Sequence, residues 1–576
     1  MNVADTVGRV IAGLASDAAR RAPSGQLSVD QAAPPLLAFG LVGSGNFHVT
    51  NGLIAGGARF VAARHEGGAA MMADGWARTT GRVGLLSLHQ GPGLTNAMTG
   101  ITEAAKSRTP LLVLVAEATE RRSNFYLDVA GLAASVGAVH ERLRSPATAI
   151  ADAARAYRTA LDRHTVIFSL PLDVQAATCE WTEPPRAPAT YAAAPSREAV
   201  HALVASLQAA RRPVFIAGRG ARAVGTGSGR QGDPAERPLA LETLADACGA
   251  LLATSAAAKG LFAGNPWSLD VSGGFASPLA AELIGGADLI VAWGCALNMW
   301  TTRHSTLIGP HARVIQVDDD PAAFGLHGHA QLGLLGDVAL TAQAVADELA
   351  SVDRKPPSVM REKDLPREVY WRCVPYDDES DGQGTDARID PRTLSIALDD
   401  MLPAERTVAV DSGNFMGYPS MYLSVPDEAG FCFTQAFQSV GLGLGSAIGA
   451  ALARPDRLTV AALGDGGALM AVSELETLVR LDIPMVIVIY DDEAYGAEVH
   501  HFGPDGAPLG TVRFPPADIA AIGRGFGCEG VTVRRVEDLA AVRAWLDGPR
   551  SRPIVIDAKV TAAHGSWWLE EAFRGH

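Results

Sequence analysis

The chain has 576 residues, roughly four times the ~150 of a comfortable single domain, so two to four domains are expected. Apolar residues make up 48% and charged residues 19%, enough for several buried cores and incompatible with a disordered chain. The net charge is −15, from 63 acidic and 48 basic residues with no basic block. That excludes sequence-independent binding of nucleic acid, which needs a positive stripe.

The segment Val3 to Ala19 reads as an amphipathic helix carrying Asp5 and Arg9, not as a signal peptide. Short apolar runs then alternate with helical patterns. They are Arg59–Ala63, Gly84–Leu88, Leu111–Ala116, Thr165–Leu170, Pro213–Ala217, Asp288–Trp293, Arg313–Val317, Thr407–Val410, Leu458–Leu463, Met485–Tyr490 and Ile554–Ala558. Strand-then-helix alternation predicts α/β domains, doubly wound on parallel sheets buried on both faces. Even the longest runs fall far short of the ~20 residues needed to span a membrane. Two proline-bearing polar stretches, Glu183–Pro195 and Val352–Asp390, read as linkers. They cut the chain into domains at 1–182, 197–352 and 388–576, with a glycine-rich loop, Gly225–Gly232, inside the second. The six cysteines are scattered without CxxC spacing, so neither disulfides nor zinc are expected, and a reducing, cytoplasmic compartment fits.

The strongest chemical signal lies in the third domain. Leu458–Leu463 runs into Gly464-Asp465-Gly466. A helical segment with Leu469, Val472, Leu475, Leu478 and Leu481 follows, and then Met485–Tyr490 ends in Asp491-Asp492. One βαβ crossover makes the two strands parallel and close. Asp465 and Asp492 then stand at the carboxyl ends of both strands, where open α/β sheets bind ligands. Two converging carboxylates suit Mg2+, which completes its shell with phosphate, carbonyl and water oxygens. The helix N-terminus near Gly467 favours a phosphate. Taken alone, Gly-Asp-Gly also reads as a plain strand–turn–helix with acidic caps.

The spacing decides between these readings. A polar doublet whose second member comes 27 residues after Asp465 resembles the fingerprint of thiamine-diphosphate (ThDP) enzymes. By that resemblance Mg2+ is held by Asp465, Asp492 and the backbone carbonyl of Ala494, and the diphosphate lies against Gly464, Gly466, Gly467 and Ala468. The family's doublet is usually Asn-Asn. Asp491-Asp492 departs from it, and the added carboxylate is expected to hold the cation while repelling the diphosphate.

The first domain carries the matching half. Arg59–Ala63 is followed by Arg64-His65-Glu66-Gly67-Gly68-Ala69-Ala70, and the run through Met72-Ala73-Asp74-Gly75-Trp76-Ala77-Arg78 continues the family's pattern. The resemblance makes Glu66 the residue that bonds the pyrimidine ring, so that its amino group becomes the base that deprotonates the thiazolium. Locally, Glu66 opens a helix of small and apolar residues, a shielded setting suited to proton shuttling. An ordinary first-turn acid is the other reading. Gly91-Pro92-Gly93-Leu94-Thr95-Asn96 is similar to a family loop beside the cofactor, which assigns Gly91, Pro92 and Asn96 to cofactor binding.

Further residues bear on the choice of reaction. Ser44, in Gly43-Ser44-Gly45-Asn46-Phe47-His48, and His89 fall where benzoylformate decarboxylases carry a catalytic serine and histidine. Glu498, six residues after Asp492, falls where pyruvate decarboxylases carry a catalytic glutamate. These groups could protonate the carbanion left by CO2 or position an acceptor carbonyl. Their structural readings are a turn residue, a satisfied strand-end histidine and a solvated face. His48, His65, His500 and His501 are weaker candidates. Val440, in Gln438-Ser439-Val440-Gly441, holds the place of the bulky residue that wedges between the cofactor rings. Gln438 replaces a family glycine whose carbonyl accepts from the amino group. Asp411-Ser412-Gly413-Asn414 follows Thr407–Val410 and by resemblance helps hold the diphosphate. The Gly-Gln-His-Gln pattern of acetolactate synthases is absent there.

In the second domain, Gly218-Arg219-Gly220 with Gly225 is a degraded GxGxxG. Val317-Asp318-Asp319-Asp320-Pro321 ends a strand where a nucleotide ribose is often held. Acetolactate synthases and pyruvate oxidases bind FAD in this domain, and many decarboxylases bind nothing. The FAD segment of acetolactate synthases stands here as Gly294–Trp300, so FAD stays an open alternative.

The resemblance spans nearly the whole chain and is to the acetolactate synthase and 2-oxo-acid decarboxylase group, benzoylformate decarboxylases included. It names the three domains pyrimidine-binding, middle and diphosphate-binding. It implies a homodimer or homotetramer with sites between subunits, Glu66 of one chain facing Asp465 and Asp492 of another. It also implies a small 2-oxo acid substrate that loses CO2. Addition of the resulting carbanion to a second carbonyl ranks first, and simple protonation second, toward which Ser44, His89 and Glu498 pull. A ThDP-binding chain without catalysis is a third reading, which Glu66 argues against. Trp567-Trp568 reads as packing on the domain surface or as a lid.

Overall fold

The computed structural model describes residues 1–21, 35–185, 191–222, 239–352 and 357–569. The Gly225–Gly232 loop and parts of both linkers lie outside the described residues.

Three six-stranded sheets form the molecule, and every strand pairing in them is parallel. The first contains β1 (Leu37–Gly40), β2 (Arg59–Ala62), β3 (Gly84–Leu88), β4 (Leu111–Glu117), β5 (Val139–Arg142) and β6 (Thr165–Pro171), in the order β2-β1-β3-β4-β6-β5. The second contains β7 (Pro213–Ala217), β8 (Leu251–Thr254), β9 (Ser268–Val271), β10 (Leu289–Trp293), β11 (Arg313–Asp318) and β12 (Leu332–Leu335), in the order β12-β11-β10-β7-β8-β9. The third contains β13 (Arg406–Val410), β14 (Phe431–Phe433), β15 (Leu458–Gly464), β16 (Met485–Asp491), β17 (Glu529–Val533) and β18 (Ile554–Lys559), in the order β14-β13-β15-β16-β18-β17. The chain thus adopts the parallel α/β class expected from its strand–helix alternation.

Side chains alternate across each strand, so a strand buried on both faces feeds two cores. Met485, Ile487 and Ile489 of β16 enter one core, and Val486, Val488 and Tyr490 enter another. The first of these cores also contains Leu111, Val113 and Val115 of β4. The first and third sheets therefore share apolar interior. The helices that join them are Glu66–Thr80 and Gly443–Ala453. A Cβ on Gly449 would stand 2.1 Å from Met72 O, and one on Gly75 would stand 2.4 Å from Ser446 O. Only glycine permits this backbone approach.

All eleven expected strands are present, with ends shifted by one residue at most. Seven more were not legible: β1, β5, β8, β9, β12, β14 and β17. They are three to five residues long, too short for periodicity to tell them from loops. The single helix expected after Gly-Asp-Gly is two helices, Asp465–Met470 and Glu474–Arg480. Leu469, expected on an apolar helix stripe, is 40% exposed, and Met470 beside it is 59% exposed. The break lets Glu474 turn beneath the first domain. The N-terminal helix, Val3–Arg21, buries Val3, Val7, Val10 and Ile11. No helix among the described residues is long and apolar enough to cross a membrane, and the six cysteines are free.

Candidate active site

β15 and β16 pair with Gly464 opposite Tyr490, so Asp465 and Asp492 emerge side by side. Burial, then Asp492 and Asp491, pushes the Asp465 carboxyl up to about 8. Burial pushes Asp492 up to about 7, against the Ala494 N–H that donates to its Oδ1 at 3.3 Å. Two crowded, buried carboxylates are the environment that a divalent cation relieves. Nearby, Asn414 Oδ1 is buried without a partner among the described residues. A Cβ on Gly496 would stand 2.2 Å from Asp492 Oδ2, so the backbone hugs the carboxylate. No cluster of three or more His, Cys, Asp or Glu among the described residues could hold a metal. A cation here draws on two carboxylates and neutral oxygens, a donor set that fits Mg2+ beside a diphosphate.

The charge of Asp491 is countered from within the protein. Its side chain is buried and ion-paired with Lys559 Nζ, which also lies 3.2 Å from Asp557 and donates to Ala517 O at 2.8 Å. The Glu493 N–H donates to Asp491 Oδ1 at 3.0 Å. Lys559 counters its charge, while Asp491 still adds to the rise of the Asp465 and Asp492 carboxyls. The chain has only five lysines, and one at the end of a buried strand was the available signal.

A second buried acid organises the loops around this pair. Asp411 accepts N–H groups from Ser412, Gly441 and Leu442 at 2.9, 2.9 and 3.1 Å. Burial nevertheless raises its carboxyl to about 6. Ser412 Oγ donates to Gln438 O at 3.3 Å. Gln438 has φ of +60°, a left-handed conformation that costs a non-glycine residue about 1 kcal/mol, and this fixes where its carbonyl points. A Cβ on Gly467 would stand 2.3 Å from Asp411 Oδ2 and 3.2 Å from Val440 Cγ1. Ser412, Gln438, Val440 and Gly467 therefore converge on Asp411, with Gly413, Gly464, Gly466 and Ala468 adjacent in the chain. The sequence placed Asp411 with Ser412, Gly413 and Asn414 as a segment that helps hold the diphosphate, but not as the acceptor that gathers these loops.

The first domain builds the other group. Glu66 is the first residue of its helix, and His65 caps that helix by accepting the Gly67 N–H on Nδ1 at 3.0 Å. Asn96 Nδ2 donates to Glu66 Oε2 at 3.0 Å. Asn96 lies on Pro92–Lys106, which Gly91 caps with Pro92 in its first turn. The Gly45 N–H donates to His89 Nδ1 at 3.3 Å, and Phe125 packs edge-on at 5.4 Å. Burial lowers the His89 pKa, and Glu66 partly opposes this. Ser44 is exposed beside Gly45, and His48 is exposed against Phe47. Glu66, His89, Asn96 and the Ser44 loop thus come together.

Glu474, not singled out from sequence, accepts the Arg64 and His65 N–H groups at 3.1 and 2.9 Å. Glu103 accepts the Phe437 N–H at 2.6 Å. These two acids tie the Glu66 helix and the Val440 loop across the two domains. No hydrogen bond or ion pair among the described residues joins the Glu66 group directly to Asp465 or Asp492. Glu498 is in the first turn of the helix Gly496–Phe502, which begins four residues after Asp492.

Three models of thiamine pyrophosphate enzymes match the chain: the N-terminal TPP binding domain over residues 37–142, the central domain over 200–345 and the C-terminal TPP binding domain over 411–558. The chain belongs to the thiamine pyrophosphate enzyme family. It is 30% identical over 557 residues to the Pseudomonas aeruginosa protein named "Probable 2-ketoarginine decarboxylase AruI", covering 90% of this chain and 91% of that one. It is 28% identical to the acetolactate synthase isozyme 2 large subunit of Escherichia coli, with 80% of each chain covered. The thiamine diphosphate-dependent 4-hydroxybenzoylformate decarboxylase of Rhodococcus jostii RHA1 shares the fold, with a TM-score of 0.75 and 22% identity over 97% of this chain and 99% of that one. This protein is a ThDP-dependent enzyme of the decarboxylase and acetolactate synthase group.

In this thiamine pyrophosphate enzyme two of the three acids offered for a nucleotide ribose are ion-paired, and Asp318 accepts the Asp320 N–H at 3.0 Å. Asp320 pairs with Arg108 at 2.6 Å and Asp319 pairs with Arg163, both arginines of the first domain. Gly218 and Gly220 abut Gly294 and Cys295, while Gly225 lies outside the described residues. The tail packs rather than projects. Trp568 is 2% exposed, and its Nε1 and Ser566 Oγ donate to Asn414 O at 3.1 and 2.9 Å. Trp567 stacks on Trp371 at 6.1 Å.

Proposed function

We propose that this enzyme decarboxylates a 2-oxo acid with ThDP and Mg2+, and that the carbon left by CO2 takes a proton. Bound ThDP would supply the electron sink that lets CO2 leave. Asp465, Asp492 and the Ala494 carbonyl would hold Mg2+ against the diphosphate, with Ser412, Gly413, Asn414, Gly464, Gly466, Gly467 and Ala468 around it. Val440 and the Gln438 carbonyl would set the position of the rings. Glu66, oriented by Asn96, would hold a proton at the pyrimidine.

The observation that carries the reading is the Gly45 N–H on His89 Nδ1. It makes Nδ1 the acceptor and so assigns the proton of the neutral imidazole to Nε2. Lowered by burial, His89 is neutral at pH 7 and presents Nε2–H within the Glu66 group. The neutral ring orients a substrate oxygen through Nε2–H, and it delivers a proton to carbon from its imidazolium fraction, which grows as pH falls.

Addition to a second carbonyl, ranked first from sequence, becomes the second reading. The likeness to acetolactate synthase favours it.

We further propose that the site is completed by a second subunit. Val440, Phe437 and Met470 are 38%, 43% and 59% exposed around the Asp465 group, an apolar rim that a partner's Glu66 group would cover. A cytoplasmic location fits the free cysteines.

The test is CO2 release with mass detection of products, with and without ThDP and Mg2+. Pyruvate, benzoylformate and 2-ketoarginine are the first panel, the last chosen from the name of the Pseudomonas relative. An aldehyde as the product supports the proposal. A hydroxyketo product moves the assignment to carboligation, and cofactor-independent background rates for every acid sink both.

A further inference from the structure

Two side chains of the C-terminal tail converge on one backbone carbonyl of the cofactor loop. Ser566 Oγ and Trp568 Nε1 both donate to Asn414 O, reaching it across 152 and 154 residues of chain. Both side chains are buried. Trp568 meets Tyr418 edge-on at 5.0 Å, and a Cβ on Gly417 would stand 2.5 Å from its indole. The ring therefore fills a slot that glycine leaves open.

The residue held in this way faces the metal loop. Asn414 Oδ1 is buried without a partner among the described residues, which native proteins seldom tolerate. A Cβ on Gly496 would stand 2.2 Å from Asp492 Oδ2 and 3.1 Å from Asn414 Nδ2. The amide and the carboxylate thus flank the same glycine, and the amide favours the charged form of that carboxylate. A neutral oxygen beside a carboxylate suits a hard cation. A carbonyl that accepts two bonds has both lone pairs engaged, and the planar peptide then fixes the Cα that carries the Asn414 amide.

The tail is anchored on its other side as well. Trp567 stacks on Trp371, and the Arg303 guanidinium of the second domain lies 4.5 Å from the Trp567 ring centre. Arg303 donates to Gly273 O and Ala276 O, both at 2.9 Å. Residues of the second domain and of the segment before the third thus brace the tail against the Asn414 loop.

We infer that Ser566 and Trp568 are positioning residues for the cofactor site. By locking the Asn414 carbonyl they hold its amide beside Asp492 in the arrangement that Mg2+ and the diphosphate require, so binding does not have to order the loop. The tail is a buried clamp, not a lid. The inference rests on the ThDP and Mg2+ assignment made above, and not on the fate of the carbon left by CO2.

The test is calorimetric titration of ThDP into the full-length apoprotein at saturating Mg2+. Ser566→Ala removes one donor. Trp568→Phe removes the other and keeps a ring in the slot. Each should weaken ThDP by about threefold to tenfold, and the double variant by about tenfold or more. The Mg2+ concentration that gives half-maximal ThDP binding should rise in the same variants. Thermal unfolding of the apoproteins is recorded in parallel, because a merely structural role lowers the midpoint and leaves the affinity alone. Ser566→Ala is the milder change and decides the matter if Trp568→Phe does not fold. ThDP affinity unchanged in the variants, whatever their melting behaviour, overturns the inference. So does a wild type that binds no ThDP, which overturns the cofactor assignment with it. Both failures are distinct from a hydroxyketo product in the CO2 assay, which overturns the proposed reaction alone.

Discussion

Lys559 and Asp491 form a buried ion pair directly behind the metal loop, with Asp557 as the second acid on the same ammonium. The pair counters part of the charge of the doublet, and Asp491 still adds to the rise at Asp492. Breaking such a pair from one side costs about 3–5 kcal/mol, because a charge is left buried. Lys559→Met strands two carboxylates and should cost that much in chemical denaturation. Asp491→Asn leaves Lys559 still bound to Asp557 and should cost clearly less. The double variant should recover part of the Lys559→Met loss. Equal costs for the two single variants would refute this reading of the triad.

Glu66 is held by Asn96 and by the Glu474 bonds to the two residues before it. Glu66→Gln should lower ThDP-dependent CO2 release by about 10²–10⁴-fold while the protein still folds. Glu474→Gln keeps the shape but weakens the bonds under the helix start, and a smaller loss is expected. Circular dichroism and CO2 assays on both variants check the order.

Burial raises the pKa of Asp465 and of Asp492, and the charge of Asp492 adds to the rise at Asp465. Asp465→Asn should therefore raise apoprotein stability slightly, by removing repulsion, while weakening retention of ThDP and Mg2+ on gel filtration. Chelation by EDTA should release ThDP from the wild type in the same assay.

Asp411 gives a pH signature. Its folded pKa of about 6 lies above the reference 3.8, so the folded state holds the proton more tightly than the unfolded chain. Its contribution to stability is fully present below 3.8 and is lost as pH rises to about 6. Denaturation midpoints across that window should show this fall in the wild type, and Asp411→Asn should flatten it.

The crossing of Glu66–Thr80 with Gly443–Ala453 has no room for a methyl group at Gly449 or Gly75. Gly449→Ala should destabilise the chain by about 1–3 kcal/mol or more and lower ThDP affinity, because Glu66 opens one of these helices and Gly443 of the other packs against Asp411. Thermal unfolding with and without ThDP measures both effects.

The sequence by itself determined the fold class and the chemistry at the strand ends. Long apolar runs such as Met485–Asp491 declare themselves because both faces are buried. Asp465, Asp492 and Glu66 were legible because each takes its place from the strand beside it, a relation set within a few residues. The loop at Asp411 was visible in the same way, but what it binds was not. Tertiary structure alone decided the partners. Lys559 reaches Asp491 across 68 residues, and Glu474 reaches Arg64 across 410. It also broke the helix after Asp465 in two and turned Leu469 and Met470 outward. The short strands needed neighbours to exist at all, since three or four residues gain stability only from the ladder beside them. Local spacing records what a residue can do. Which charge it meets depends on how sheets distant in the chain pack together, and no local pattern carries that information.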